Sequence, residues 1–208
     1  MNSDLIPDYL SDSTKAKLKS SLSDFIKSPN ITNYPFSDFK TDFFLQGDIV
    51  TGVPLPYWDA SLGQFQTRLN STCIVLSNTC DMDLKNPRII PMDCVLAPIS
   101  SLDRLEKTLL AMKVSDSKVA NYIKSVKECK VTNIFHIPID ENFKYSPHGH
   151  HGSYASLDKA FYIPRKALSS CTTLFSLNQF FSYLFTFQMS VHFCRFHDKV
   201  DRDENKCY

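Results

Sequence analysis

An α+β protein is what this sequence predicts, and three observations point to it. Apolar residues near the amino end recur at helical spacing. Between about residues 45 and 170 they give way to short β-branched runs bounded by Gly, Pro, Asn and Asp, and from about 176 to 197 they return to helical spacing, now dense in Phe. At 208 residues and 43% hydrophobic, the chain can bury one good-sized core or one domain with a large attachment; two full domains would be a squeeze.

The first helix is introduced by three candidate N-caps, Ser11, Asp12 and Ser13, and its apolar face is Leu18, Leu22, Phe25 and Ile26, at i, i+4, i+7 and i+8. "PNITNYPFSDFKTDFF" follows, punctuated by Pro and Asn and rich in aromatic rings, which favours a connector laid across the body of the protein. A boundary near residue 40 separates this helix and connector, 1–40, from the remainder, 41–208. Gly47-Asp48 then reads as a turn feeding a strand from Ile49 to Leu55. "STCIVLSN" is a second strand and "DCVLAPIS" a third, with Pro98 marking an edge or a bulge. Short strands joined by long loops predict a small barrel.

A helical insertion over about 101–130 interrupts the strands: Leu102, Leu105, Leu109 and Met112 mark one helix, and Val119, Tyr122, Ile123 and Val126 a second. Strands resume with "VTNIFHIPI" and "AFYIPRKAL". The closing helix, about 176–197 with Ser176 as its expected N-cap, carries Phe180, Phe181, Leu184, Phe185, Phe187, Val191 and Phe193 over more than half its circumference. Such a helix requires cover on more than one side.

Composition narrows the function classes. With 23 basic and 22 acidic side chains the net charge is +1, so no global field draws the chain to nucleic acid or an anionic membrane, and any RNA contact must be local. No window approaches the ~18 uninterrupted apolar residues of a membrane helix, and no basic-then-apolar leader opens the chain. Seven irregularly spaced Cys fit reduced thiols better than a disulfide framework or a zinc pattern. The expectation is a soluble, cytoplasmic protein without metal or cofactor.

"GDIV", "CIVLSN" and "VLAPIS", in that order and at roughly twenty-residue intervals, resemble the core of the MazF/PemK superfamily of SH3-like barrels. In that family G-D-I-V, V-V-L-S and V-x-P-I-T strands surround a ribonuclease site. The direct resemblance spans about residues 47 to 100. It implies an SH3-like barrel, a prokaryotic toxin–antitoxin or anti-phage defence setting, and metal-independent cleavage of single-stranded RNA. The family's catalytic Thr maps onto Ser100, but Ser71-Thr72 stands where its Arg-Pro pair would be, and the nearest upstream cation is Arg68. Loss of one preorganised donor typically costs about 10²–10³ in rate. The chain is therefore expected to be a degenerate member, a binding or regulatory module acting through a protein partner, a homodimer or RNA. An endoribonuclease using Arg68 and Ser100 is the alternative.

Several residues could line a substrate groove. Asp48 could orient a hydroxyl, although Gly-Asp before a strand commonly organises its own turn. Asn78, Cys80 and Asp81 stand at the rim of the family's groove or simply close a strand and cap the next segment. In "HGHHG", His148 and His150 point to one side of an extended chain, as metal ligands would with Cys80 or Asp81, but their Gly-, Pro- and Ser-rich surroundings favour a solvated or phosphate-touching loop. Arg195, near the end of the last helix, either meets the helix dipole or contacts an anion or RNA. The aromatic material outside the barrel is expected to carry the interaction, covered by the amino-terminal segment, a second copy or another protein.

Overall fold

The computed structural model describes residues 11–27, 36–37, 41–83, 85–86, 88–139 and 151–194. It is α+β. Eight strands, β1 (Phe36–Ser37), β2 (Ile49–Asp59), β3 (Gln64–Val75), β4 (Asp93–Ser101), β5 (Ile134–Ile137), β6 (Ser153–Ser156), β7 (Phe161–Pro164) and β8 (Thr172–Leu177), form one antiparallel sheet. Its order is β1-β8-β2-β3-β4-β6-β5, with β7 also beside β4. Five helices accompany it among the described residues: α1 (Asp12–Lys27), α2 (Thr79–Met82), α3 (Leu102–Ala111), α4 (Asp116–Lys127) and α5 (Gln179–Phe193).

The sheet is open, not a closed barrel. Its path ends in β1 and β5, which are 2 and 4 residues long, at opposite sides of the molecule's strand order. β4 supplies the curvature instead. One of its edges pairs with β7 along Asp93 to Leu96 and with β6 along Ile99 to Ser101. β6 and β7 are thus a single strand interrupted by the 3-residue 3-10 turn Leu157–Lys159, and the register shifts by that insertion. Leu157, fully buried, fills the break.

Because helices and turns cover both faces of the central strands, their buried runs are continuous, not alternating. In the segment from Cys73 to Leu76, Cys73 and Val75 enter a core with Val50, Val53, Met82, Cys94, Leu96, Ile163 and Leu168. Ile74 and Leu76 enter the opposite core with Ile49, Phe135, Phe181 and Phe185. A third cluster joins α3 and α4 through Leu102, Val119, Ile123, Val126 and Ile134.

α5 seals the second of these cores. Asn178, not the expected Ser176, caps it by accepting from the Phe181 N–H at 3.0 Å, since Ser176 lies inside β8. Phe181 and Phe185 are fully buried, and Phe185 meets Phe135 edge-on at 4.8 Å between centroids. The Gln188 amide donates to the carbonyls of Val131 (2.9 Å) and Ile134 (2.5 Å), tying α5 to the start of β5. α1 covers the next sector, with Phe25 6.1 Å from Phe180. Phe187 and Phe193 remain exposed. Among the described residues no helix is long and apolar enough to cross a membrane.

Candidate functional site

The residues singled out from the sequence fall into separate places. Asp48 is 2% exposed; its Oδ2 accepts from the Leu45 N–H at 2.9 Å, and Gly47 beside it takes φ +90°. Burial pushes the Asp48 carboxyl above its ordinary range, partly offset by the Leu45 amide and the Ser176 hydroxyl. It therefore organises the entry to β2 and lines no open groove. Asn78 caps α2, its Oδ1 accepting from the Cys80 N–H at 2.9 Å. Asp81 pairs with Arg88 at 2.5 Å, while Arg165 donates to the Asp81 carbonyl at 3.0 Å. Cys80 is exposed beside them. This end of β3 is held as a structural joint between α2 and the segment after β7. His148, His150 and Arg195 lie outside the described residues.

Arg68 and Ser100 lie on the neighbouring strands β3 and β4, and each is held by its own partner. Arg68 lies over the Tyr57 ring, its guanidinium carbon 5.2 Å from the centroid. Ser100 pairs across to β6, where its hydroxyl bonds Tyr154. Burial raises the Tyr154 phenol, opposed by that bond and by the charge of Arg104, and reinforced by Tyr122 and Asp158. Arg104, at the start of α3, is a cation whose charge reaches the Tyr154 phenol beside Ser100. Of the thiols, Cys73 and Cys129 are pushed up to about 12 and Cys94 to about 11, chiefly by burial, which leaves them protonated and unreactive near neutrality.

One concentration of exposed apolar groups among the described residues was not expected from the sequence. β2 and β3 form a long hairpin whose outer part runs beyond the sheet, because β2 pairs with β8 only from Ile49 to Thr51 and β3 with β4 only from Cys73 to Val75. Two irregularities bend it away: one between Val50 and Val53, where Gly52 takes φ +85°, and one between Val53 and Leu55, opposite Asn70 at φ 56°. Pro54 and Pro56 fit this stretch of β2, which has no strand on its outer side among the described residues. At the tip, Asp59 Oδ1 accepts from the Ser61 N–H (2.9 Å), the Ser61 hydroxyl (2.6 Å) and the Leu62 N–H (3.2 Å), and Gly63 supplies φ 62°.

One face of this arm carries Trp58 and Phe65, cross-strand partners whose rings meet edge-on at 5.3 Å. The other carries Tyr57 under Arg68. Trp58, Leu62, Phe65 and Leu69 are 57–73% exposed. Rings fixed by cross-strand contact lose little conformational entropy when a partner covers them, so the arm is suited to docking. No protein-family model, curated protein or solved structure matches the chain.

Proposed function

We propose that the chain is a binding or regulatory module built on a degenerate, opened MazF/PemK-like core, in a prokaryotic toxin–antitoxin or anti-phage defence setting, acting through a protein partner. The resemblance supports the core assignment, since its three segments fall on the adjacent strands β2, β3 and β4. The observation that carries the function is the projecting β2–β3 arm with its exposed Trp58, Leu62, Phe65 and Leu69. An uncovered two-stranded ribbon is marginal alone, and a clustered apolar surface of this kind marks an interaction site. Between residues 54 and 70 the arm has one acidic side chain, Asp59, and one basic, Arg68. Tracking an RNA backbone requires several cations, so a protein surface is the better match.

The ribonuclease reading is weaker because Arg68, the cation it needs, is engaged on the Tyr57 ring. Affinity capture with the full chain, after nuclease treatment, tests the proposal. A specific protein captured by wild type should be lost with Trp58→Ala/Phe65→Ala and kept with Phe187→Ala. Capture unchanged by the arm substitutions, or abolished by nuclease, contradicts the arm as a protein-docking surface.

A further inference from the structure

α3 brings two carboxylates to an imidazole at a place unrelated to the arm. Asp103 and Glu106, three residues apart, share a face of the helix, and His151 lies against them just before β6. One candidate ligand atom from each of the three lies within 4.8 Å of the other two. The His151 N–H donates to Asp103 Oδ1 at 3.1 Å, and its Nε2 is 3.7 Å from Glu106 Oε2. The backbone fixes this arrangement, because the Leu102 N–H donates to the Gly152 carbonyl at 3.0 Å. Gly152 has φ +87°, and a Cβ there would lie 2.7 Å from the Ile137 carbonyl, so the chain passes closer than any other residue allows.

A second observation comes from beneath His151. His136 is 5% exposed, and its imidazole interacts with the His151 backbone, a contact that partly offsets the cost of burying the ring. Its ring faces the His151 backbone, and its Nε2 would be 3.3 Å from a Cβ on Gly152. A buried imidazole held against the backbone of a candidate ligand positions that ligand, as the groups behind metal ligands commonly do.

We propose that Asp103, Glu106 and His151 form a binding site for a divalent first-row cation, Zn²⁺ or Mn²⁺. Two carboxylates offset the ion's charge, oxygen and imidazole nitrogen suit both metals, and three protein ligands leave coordination positions for water. Ligands at about 2.1 Å from an ion stand at most about 4.2 Å apart, so a small rotation of the Glu106 side chain, which is half-buried and not locked in the core, completes the set. The sequence predicts no metal site, and the two histidines it offers as ligands, His148 and His150, lie outside the described residues.

Calorimetric titration of the chelator-stripped full chain with Zn²⁺, and separately with Mn²⁺, tests the proposal. One equivalent should bind, and Glu106→Gln and His151→Ala should each weaken binding at least about tenfold, with the fold checked by circular dichroism. Glu106 is on the surface, so its variant should fold even where a change at His151 disturbs the turn. His148→Ala/His150→Ala should keep the equivalent. Absence of saturable binding with both metals overturns the proposal, as does binding that survives Glu106→Gln unchanged or is lost in the His148/His150 double variant.

Discussion

Asp48 is a carboxylate placed where a neutral side chain would be cheaper. Its Oδ2 is bonded to the Leu45 amide, while Oδ1 is buried without a hydrogen-bond partner among the described residues. Burial raises its pKa above the ordinary 3.8, so the folded state holds the proton more tightly than the unfolded chain. The stability this gives is fully present below the unfolded value and is lost as pH rises through the folded one. Asp48→Asn keeps the acceptor for Leu45 and does not titrate. In denaturant titrations between about pH 3 and 8, the stability difference should therefore move in favour of the variant as pH rises and then level off. A difference that stays flat would mean Asp48 titrates alike folded and unfolded. The same residue illustrates what sequence can convey: Gly47-Asp48 is readable as a turn, but only the packing of β8 beside it shows that no substrate reaches its carboxylate.

At the scale of elements, the buried helix and the exposed arm should respond oppositely to loss of an aromatic ring. Phe185, fully buried against Phe135, should cost about 3–5 kcal/mol on truncation to Ala, through lost transfer energy and the cavity left behind. Trp58→Ala should cost under about 1 kcal/mol in unfolding experiments, since only its contact with Phe65 is lost, while removing partner capture. Comparable losses for both would mean the arm belongs to the folding core. The helices α1, α3, α4 and α5 were legible from their apolar spacing, which found the buried Leu18, Leu102, Val119, Ile123, Val126, Phe181 and Phe185, but Ile26, Met112, Phe187 and Phe193, assigned to the same faces, are exposed. The arm was not legible, because Trp58, Phe65 and Leu69 face solvent and produce no core-facing alternation. Its signal lay in the turn chemistry, with Asp59 four residues before Gly63. That the sheet stays open was equally hidden, since the pairing ends at the short strands β1 and β5, and strand patterns do not show which edges meet.

For the whole molecule, the amino-terminal segment is an added layer on a core that it does not complete. α1 reaches the core through Leu18, which is buried, and through Phe25 against Phe180, whereas Phe181 and Phe185 are enclosed by the sheet itself. Deleting residues 1–27 should therefore leave a folded protein with lowered solubility, monitored by circular dichroism and light scattering, because Phe180 and the apolar floor beneath α1 become exposed. Global unfolding would place α1 inside the cooperative core. The proposed behaviour is binding without cleavage. Its most direct test is incubation of the purified full chain with long single-stranded RNA, with and without added Mg²⁺, Mn²⁺ or Zn²⁺, followed by mapping of fragment ends. The account predicts intact RNA under every condition; defined fragments that disappear with Ser100→Ala or Arg104→Ala would contradict it.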